Sequence, residues 1–406
     1  MIEKRNISIL RNCYGCGVCV AACPVNVIAL KENADGFYSP EVIDSDGCIN
    51  CGLCLKVCAF NNQLEPEAQQ SAKVKGYGAW STDEKVRQWC SSGGVGFEVG
   101  RALIEQGYEA VGVRYDVGRQ RAEHFIAATV EDFMPSVGSK YIPSDSAWAF
   151  KAIDRRKKYL VTGTPCQIAS MRRLVRHFKV EENFVLLDFF CHGTPSLKMW
   201  DIYLRGVEAQ TGPVKFVSWR NKSTGWHDSW AVCADQGKTE PSESVSWHDS
   251  YNLKIWEKKH FYASRLSQND KFYAFFLGNV CLNDCCYGCT LKMANSAADI
   301  RIGDFWGRTY EADSKGVSAV LALTPKGREV IEALAAERRI ELREHPAETV
   351  MEGQMPCSPK RPWIYGPIRS ALRKGNRLPI GQLRLWRISL LPGRVINKLK
   401  RIILKK

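Results

Sequence analysis

Two cysteine runs with identical spacing constrain this chain more than any other feature. The first begins at Cys13 and the second at Cys48, and each arranges four cysteines as C-x2-C-x2-C-x3-C. Pro24 follows the first run, and Ala59 takes the corresponding place after the second. The repeat predicts a duplicated half-domain, and cysteines grouped this closely indicate metal ligation rather than a disulfide scaffold.

This spacing is typical of bacterial ferredoxins with two 4Fe–4S clusters, in which the fourth cysteine of each run ligates the other cluster. Tetrahedral zinc sites also use CxxC pairs, but four ligands around one ion give no reason for a third cysteine at the same spacing. Residues 1–62 are therefore predicted to pass single electrons through two clusters. The predicted ligands are Cys13, Cys16, Cys19 and Cys58 for one cluster, and Cys48, Cys51, Cys54 and Cys23 for the other.

The excess positive charge lies in the C-terminal segment. The formal net charge is +14, and residues 353–406 contain fourteen Lys and Arg but no Asp or Glu. The rest of the chain is neutral overall and shows no helix-turn-helix, finger or RNA-binding signature, which argues against nucleic-acid binding. No signal-like or membrane-spanning run occurs, so a cytoplasmic protein is expected.

The same segment combines its cations with large apolar side chains. Pro379, Pro392 and Gly393 divide it into pieces too short to span a bilayer. It predicts reversible, peripheral contact with the anionic inner face of the cytoplasmic membrane, although a basic run can also be solvated or bind an acidic protein. The apolar members are Trp363, Trp386, Leu390, Leu391, Ile402 and Ile403.

Beyond residue 76, apolar segments alternate with amphipathic ones, which predicts α/β layers. Residues 213–235 favour antiparallel strands, and residues 318–324 a late buried strand. Cys166 and Cys191 each follow a predicted strand, where ligands of α/β sheets commonly bind. Four more cysteines, which alone are ambiguous between zinc and iron–sulfur ligation, follow at Cys281, Cys285, Cys286 and Cys289.

Six short strings resemble the coenzyme F-420 hydrogenase/dehydrogenase beta-subunit family. They are SSGG at 91–94, GSKY at 138–141, TGTPCQIA at 162–169, CHGTPS at 191–196, CYGC at 286–289 and GDFWG at 303–307. The resemblance spans nearly residues 1–330 and implies an FAD-binding body with one 4Fe–4S cluster, fused to a ferredoxin domain. Carried over by position, the body ligands are Cys166, Cys191, Cys286 and Cys289, with Cys281 and Cys285 outside the pattern.

The expected fold class is α+β or α/β, with a ferredoxin-like domain before a flavin-binding α/β body that has an antiparallel portion and a basic tail. The implied divisions are 1–62 for the two-cluster domain, 63–75 for a linker, 76–155 for the flavin-binding N-terminal region of the body, 156–350 for its C-terminal region with the additional cluster, and 351–406 for the basic amphipathic tail.

A helix start is the candidate site for the FAD diphosphate. Ser91 or Ser92 is expected to cap a helix, leaving the amides of Gly93 and Gly94 free for a phosphate, although capped helices are more often purely structural. No GxGxxG or GxxxxGK[ST] motif occurs. With the resemblance, the implied FAD-binding residues are Ser91, Ser92, Gly93, Gly94, Ser139, Lys140, Tyr141, Thr162, Gly163 and Thr164.

Two further side chains have competing interpretations. Lys140 is expected either at a flavin phosphate or the N1 side of the ring, or as a solvated lysine. His192 is a candidate proton donor near the flavin, or a histidine hydrogen-bonded within a turn. The Trp-rich stretch 219–256 and Cys233 are expected in the core.

The favoured hypothesis is an FAD- and iron–sulfur-dependent oxidoreductase that exchanges single electrons with a redox partner protein and hydride with a small-molecule donor or acceptor. Members of the resembling family include deazaflavin oxidoreductases and a chlorophyll-cycle reductase, so the substrate stays open. The alternative is an electron-transfer adaptor without its own substrate, serving a separate enzyme such as one of surface polysaccharide biosynthesis. Clusters acting only as folding staples are a third hypothesis, but two crossed clusters exceed that need.

Overall fold

The computed structural model describes residues 5–62, 74–222, 224–235, 261–375 and 377–390. Most of the predicted linker at 63–75 lies outside these residues, as do Trp247 and Trp256 of the Trp-rich stretch and the last sixteen residues of the predicted tail. Cys233 lies on a strand, but its expected burial falls outside the described side chains.

The N-terminal unit repeats one small motif in each cysteine run. Helix α1 (Val18–Ala22) and helix α2 (Leu53–Lys56) follow Gly17 and Gly52, whose φ angles are 75° and 73°. This left-handed conformation favours glycine, which explains why both runs carry glycine directly after their second cysteine. Strands β1 (Ile28–Glu32) and β2 (Tyr38–Val42) form an antiparallel pair between the two helices.

A nine-stranded mixed sheet forms the body, in the order β14-β3-β13-β12-β8-β7-β4-β5-β6. Its central strands β12, β8, β7 and β4 run parallel, whereas β13, β3 and β14 pair antiparallel on one side and β5 pairs antiparallel with β4 on the other. A separate antiparallel sheet has the order β11-β10-β9. The strands are β3 (Lys75–Ser81), β4 (Glu109–Asp116), β5 (Arg121–Ala127), β6 (Ser144–Asp145), β7 (Tyr159–Thr162), β8 (Phe184–Phe189), β9 (Phe216–Ser218), β10 (Ala231–Asp235), β11 (Phe261–Arg265), β12 (Ile300–Asp304), β13 (Ser318–Ala322) and β14 (Ile340–His345).

The predicted α/β alternation is present, with the antiparallel portion at 216–235 and 261–265. The late strand at 318–322 is fully buried but runs antiparallel in the main sheet. The helices are α3 (Glu84–Trp89), α4 (Val95–Glu105), α5 (Val130–Phe133), α6 (Ala147–Ala152), α7 (Pro165–His177), α8 (Leu197–Thr211), α9 (Lys271–Phe276), α10 (Pro325–Ala336), α11 (Ala347–Met351), α12 (Tyr365–Lys374) and α13 (Ile380–Ser389).

Each face of the main sheet carries its own core. Leu160, Val185 and Leu187 pack on one face with apolar residues of α4 and α10. The intervening Val161 and Leu186 pack on the opposite face with α7 and with residues of the N-terminal unit. Side chains of a strand alternate between faces, so strands covered on both sides become nearly continuously apolar, as Tyr159–Val161 of β7 and Phe184–Leu187 of β8 are.

The beginning of the basic tail belongs to the folded body. Ile368 and Leu372 of α12 and Leu383 of α13 are buried in the same core as α8 and α9. The prediction of one amphipathic tail is therefore incomplete for these residues, because their apolar side chains serve tertiary packing. No helix in the described ranges is long and apolar enough to cross a membrane.

Candidate electron-transfer site

Four cysteines from the two runs lie together beside the body. Cys13, Cys16, Cys19 and Cys58 interact electrostatically with one another, and we call them the proximal quartet. Burial raises the pKa of Cys13, Cys16 and Cys19, and the neighbouring thiols raise it further. The fourth cysteine of the second run thus joins the first three of the other run, as crossed ligation predicts.

The remaining ferredoxin cysteines, Cys23, Cys48, Cys51 and Cys54, form what we call the distal quartet. The pKa of Cys54 is raised by burial first, with smaller contributions from Cys51 and Cys23. Cys23 and Cys48 pack against the small core that contains Cys54. Cys51 is exposed to solvent, so this quartet lies nearer the surface than the proximal one.

A third group, the body quartet, assembles at the carboxyl edge of the parallel strands. Cys166 lies in the first turn of α7, directly after β7, and Cys191 follows β8, its parallel neighbour. Cys286 and Cys289 come from a turn spanning Asp284–Gly288 and the residue after it. The pKa of Cys191 and Cys286 is raised by burial, and each also interacts with another member of the group.

Local polar groups already point at several of these sulfurs. The Thr194 amide donates to Cys286 Sγ at 3.4 Å, and the Thr164 hydroxyl lies 3.1 Å from Cys166 Sγ. Lys292 donates to the Cys191 carbonyl at 2.6 Å, and its charge opposes the burial that raises the pKa of Cys191. Donors and positive charge around the sulfurs suit an anionic iron–sulfur group.

No group of three or more His, Cys, Asp or Glu side chains in the described residues is placed to hold a metal ion. A 4Fe–4S cluster makes a different demand, because its four thiolates bind four separate iron atoms.

The two cysteines outside the expected pattern occupy different surroundings. Cys285 interacts with Asp284 and, through its sulfur, with Cys13 and Cys289, so it lies between the proximal and body quartets. Cys281 is buried in the core that contains α8, and its carbonyl accepts a hydrogen bond from the Ser196 amide at 2.9 Å. Burial raises the pKa of each thiol to about 12.

The N-terminal unit is docked closely against the body. The Ser146 hydroxyl donates to the Cys16 carbonyl at 2.9 Å, and the Ala59 amide donates to Ser170 Oγ at 3.0 Å. A Cβ added at Gly17 would approach Ser146 Oγ to 2.2 Å, so a larger residue would separate the two parts. These contacts place the proximal quartet next to the body quartet.

A cavity of about 520 Å³ adjoins both quartets. Its wall includes Cys16 of the proximal quartet, and Cys166 and Cys191 of the body quartet. Nine of the ten predicted FAD-binding residues line it, and His192 does too. The nine are Ser91, Ser92, Gly94, Ser139, Lys140, Tyr141, Thr162, Gly163 and Thr164.

Two family models match the segments that contain these cysteines. The family model for the C-terminal part of the coenzyme F420 hydrogenase/dehydrogenase beta subunit matches residues 156–348, and the model for a 4Fe-4S dicluster domain matches residues 12–62. Residues 156–348 are a C-terminal beta-subunit domain of this family. The dicluster domain contains the proximal and distal quartets, and the beta-subunit domain contains the body quartet.

The curated relatives match the beta-subunit domain only in part. A subunit of the F(420)H(2) dehydrogenase from Methanosarcina mazei is 29% identical over 189 residues, covering 43% of this chain and 51% of the relative. An uncharacterized protein of Methanocaldococcus jannaschii is 26% identical over 203 residues, covering 42% and 55%. The chain thus spans about half the length of the curated relatives it matches.

A solved structure also aligns with the chain. It is a chain of the F420-reducing NiFe hydrogenase complex from Methanosarcina barkeri, studied by xenon derivatization. The alignment covers 78% of this chain and 91% of that one, at 15% identity and a TM-score of 0.44. Similarity at this level does not establish a common fold.

The SSGG string differs from its prediction in detail. Val95, Val99, Ala102 and Leu103 of α4 are buried, but the helix N-cap is Gly94, with a φ of 89° and no side-chain cap, rather than Ser91 or Ser92. The Gly93 amide is not free, because it donates to Ser318 Oγ at 3.0 Å. Among the described residues, no acceptor bonds the next three amides, those of Gly94, Val95 and Gly96. The open amides therefore begin one residue later than expected.

Lys140 lines the cavity but uses its ammonium locally. Its Nζ donates to the carbonyls of Pro135, Ser136 and Val137 at 2.9–3.0 Å. Burial lowers its pKa to about 7. The Lys140 ammonium is thus bonded to three backbone carbonyls, an arrangement that neither interpretation anticipated.

His192 lines the cavity and is hydrogen-bonded. Its Nε2 lies 2.7 Å from Asn279 Oδ1, and its ring stands edge-on to Phe276. Burial lowers its pKa to about 4, so the ring is uncharged at neutral pH.

An ion pair that the sequence did not indicate joins three family strings. Arg220 binds both carboxylate oxygens of Asp304 at 2.9 Å, and donates to the Tyr141 hydroxyl and the Ser91 carbonyl. Its guanidinium stacks over Trp230 at 4.6 Å. Of the tryptophans expected in the core, Trp219 and Trp226 are buried, whereas Trp230 lines the cavity. A lone arginine beside aromatic residues gives no local signal for this role.

Proposed function

We propose that this chain is an iron–sulfur flavoprotein oxidoreductase. The observation that carries the proposal is one cavity whose wall contains both Cys166 and Cys191 and the first residues of α4 with their open amides. Each quartet would hold one 4Fe–4S cluster, and single electrons would pass between a partner protein and the cavity through the distal, proximal and body quartets in turn. FAD in the cavity would supply the exchange between single electrons and hydride.

The start of α4 suits the FAD diphosphate. The amides of Gly94, Val95 and Gly96 lack acceptors among the described residues, and the positive end of the helix dipole lies there. The cavity volume falls within the range of small-molecule sites, about 300–1,000 Å³. Its walls include aromatic residues suited to a flat ring, namely Phe97, Phe133, Phe190, Trp230, Phe276 and Trp306.

Two lysines bonded to backbone carbonyls would shape the cavity rather than bind the cofactor. Lys222 donates to the carbonyls of Arg87, Ser92 and Lys315, which holds the SSGG loop against the body. Lys140 holds the carbonyls that precede GSKY in the same way. Both keep the surrounding loops ordered before a ligand binds, which lowers the entropic cost of binding.

The hydride donor or acceptor is part of the proposal. The name of the relative from Methanosarcina mazei contains F(420)H(2), so a deazaflavin coenzyme is the first two-electron partner to test. A separate acceptor enzyme, including one of surface polysaccharide biosynthesis, belongs to the adaptor alternative.

Anaerobic purification with iron, sulfide and flavin quantitation tests the proposal. We expect about twelve iron atoms per chain from three clusters and non-covalent FAD released by heat. Full iron content without flavin, even after incubation with FAD, would leave the adaptor as the better account. About eight iron atoms would remove the body cluster.

We also propose that the C-terminal segment contacts an anionic membrane. Helix α13 buries Leu383 but exposes Leu385 and Ile388, whose exposed fractions are 63% and 60%. Arg384 is exposed beside them, and in the described ranges neither Arg384 nor Arg387 has a carboxylate partner. Basic residues near such a surface contribute about 1 kcal/mol each.

Truncation of the C-terminal segment is not a suitable test of this membrane contact. A chain ending at Glu352 would lose Ile368 and Leu372 from the core, so its behaviour would not report on the surface alone. The paired change Leu385→Asp/Ile388→Asp should instead reduce flotation with anionic vesicles, whereas Trp148→Asp, at an exposed residue of α6, should not. Equal flotation of both variants would refute membrane contact by α13.

A further inference from the structure

Exposed apolar side chains lie on the segments that carry the distal quartet. Ile9, Val25, Ile43 and Ile49 have exposed fractions of 38–61%. Cys51, which is also exposed, follows Ile49 by two residues. We call these five residues the distal face.

Backbone and side-chain contacts bring three parts of the distal face together. The Ile43 amide donates to the Val27 carbonyl at 2.9 Å, so Ile43 and the segment of Val25 are neighbours. A Cβ added at Gly47 would lie 3.2 Å from Val27 Cγ1. The loop that leads to Ile49 therefore meets the same segment.

The N-terminal segment of Ile9 joins the same region. The Asn6 side-chain amide donates to Cys48 Sγ at 3.4 Å. Ile7, in the short turn that ends at Ile9, is buried in one core with Cys54. The apolar residues of the distal face thus surround the distal quartet.

The surroundings of the distal face are anionic. Asp44 and Asp46 are exposed, and neither has a basic partner in the part of the chain that the structure describes. Glu41 is paired with Lys31 at 3.0 Å, and Arg5 is an exposed cation on the N-terminal segment. The two aspartates outweigh Arg5, and four thiolate ligands would add the negative charge of a 4Fe–4S cluster.

We propose that the distal face is the docking surface for a one-electron carrier protein whose redox group lies beneath an apolar patch ringed by Lys and Arg. The inference rests on the proposed function, because it requires a cluster at the distal quartet. One electron passes between that cluster and the redox group of the carrier, so one is oxidised as the other is reduced. No bond forms or breaks in this step.

The exposed cysteine indicates that the partner is a redox carrier. Cys51 is exposed, whereas Cys16, Cys19 and Cys58 of the proximal quartet are buried, so a carrier on the distal face contacts the quartet nearest the surface. Exposed apolar patches mark interaction sites, and electron-transfer complexes use small interfaces. Unpaired acidic residues at the rim attract a cationic carrier and raise its association rate.

Stopped-flow mixing of the reduced full chain with ferric cytochrome c tests the proposal, because lysines ring the exposed haem edge of this carrier. The chain is reduced with dithionite and freed of it before mixing, and each electron that leaves converts one ferric haem to ferrous. Ile9→Ser/Ile43→Ser should lower the second-order rate constant about fivefold, since apolar contact is lost without a change in charge. Unchanged iron content and electron paramagnetic resonance signals confirm that this variant retains its clusters.

Leu266→Ser is the control, because Leu266 is an exposed aliphatic side chain of the body. Its rate constant should equal that of the unmodified chain. Equal rate constants for the unmodified chain and Ile9→Ser/Ile43→Ser, or the same loss in Leu266→Ser, would overturn the proposal.

The charge of the rim is tested separately. Asp44→Asn/Asp46→Asn should lower the rate constant about threefold at low salt and much less at high salt, where screening removes the attraction. Asparagine retains the side-chain oxygen with which Asp44 accepts from the amides of Asp46 and Gly47. Glu131→Gln/Asp132→Asn, at exposed positions of α5, makes the same change in net charge and should have no effect.

Three outcomes separate the remaining possibilities. An equal loss in Glu131→Gln/Asp132→Asn would overturn the cationic carrier, because net charge alone would then explain the rate. A loss in Ile9→Ser/Ile43→Ser seen with an acidic flavodoxin but not with cytochrome c would assign the face to an anionic carrier and also overturn the proposal. Absence of the dicluster signals from the unmodified chain would instead refute the proposed function.

Discussion

The dicluster domain and the body assemble their cysteines in opposite ways. Eight cysteines lie between Cys13 and Cys58, so short segments bring most of each ferredoxin quartet together. The body quartet draws Cys166 from the start of α7, Cys191 from the end of β8, and Cys286 and Cys289 from a turn almost a hundred residues later. The ferredoxin quartets therefore depend on the spacing of cysteines in the sequence. The body quartet depends on the parallel sheet, which brings cysteines from distant segments together.

The largest expected effect is the selective loss of the body cluster. Cys286→Ser should remove about a third of the iron and leave the dicluster signals intact, because only one of three clusters loses a ligand. Cys285→Ser is the control, since Cys285 lies toward Cys13 rather than Cys191. Iron and sulfide quantitation with electron paramagnetic resonance measures both. Iron loss in Cys285→Ser but not in Cys286→Ser would reverse the assignment.

Next in size is the effect of breaking a fully buried ion pair in the body. Arg301 donates to both carboxylate oxygens of Asp188 at 2.6–2.7 Å, and both side chains are 0% exposed. Arg301→Met leaves a buried carboxylate without its partner and should lower the free energy of unfolding of the body by about 3–5 kcal/mol. Chemical denaturation followed by tryptophan fluorescence measures this change.

Arg308→Met serves as the matched control, because Arg308 is 90% exposed in its pair with Glu352. Its effect should stay within about 0.5 kcal/mol. Equal effects of the two substitutions would show that the Asp188 pair does not stabilise the sheet edge near the body quartet.

A smaller, pH-dependent effect is expected from His124. This residue of β5 is 2% exposed, and burial lowers its pKa from 6.5 to about 4. Below pH 6.5 the unfolded chain binds a proton that the folded chain excludes, so the contribution to stability is present above pH 6.5 and is lost as pH falls toward 4. The loss should approach about 3 kcal/mol.

His124→Phe should remove that part of the acid sensitivity, since Phe carries no proton and the site already contacts the Phe150 ring. His177→Phe, at an exposed position of α7, should leave the pH profile unchanged. Unfolding measured between pH 4 and 7 compares them. Identical profiles for the unmodified chain and His124→Phe would exclude His124 as a source of body acid sensitivity.

The smallest expected effect lies where the two parts meet. Asp35 of the dicluster domain accepts hydrogen bonds from Arg369 and Arg373 of α12. Both arginines are partly exposed, so Asp35→Asn should lower the melting temperature by only about 1–2 °C while increasing amide exchange in α12. Asp46→Asn, at an exposed loop position, is the control. Unchanged exchange in α12 would mean that these pairs do not hold it.

Much of the fold and part of the candidate site could be predicted from local patterns. The segments around β7 and α7 combine a short apolar run, a TGTP turn and an amphipathic helix, and these signals lie within twenty residues. The crossed arrangement of Cys58 with Cys13 also follows from spacing. In contrast, the prediction of a serine cap for α4 is wrong, because the Gly93 amide donates to Ser318 of β13 and Gly94, with a φ of 89°, takes the N-cap position.

The sequence by itself determined the two-cluster domain, because its ligands lie close together and each glycine after a second cysteine sets the local turn. Only the tertiary structure decided which of the later cysteines meet Cys191, what Lys140 binds, and that Arg220 pairs with Asp304. These partners are brought together by strand order and packing across dozens of residues. Local residue patterns do not encode contacts between segments that are far apart in the sequence. The order and packing of the strands determine these contacts.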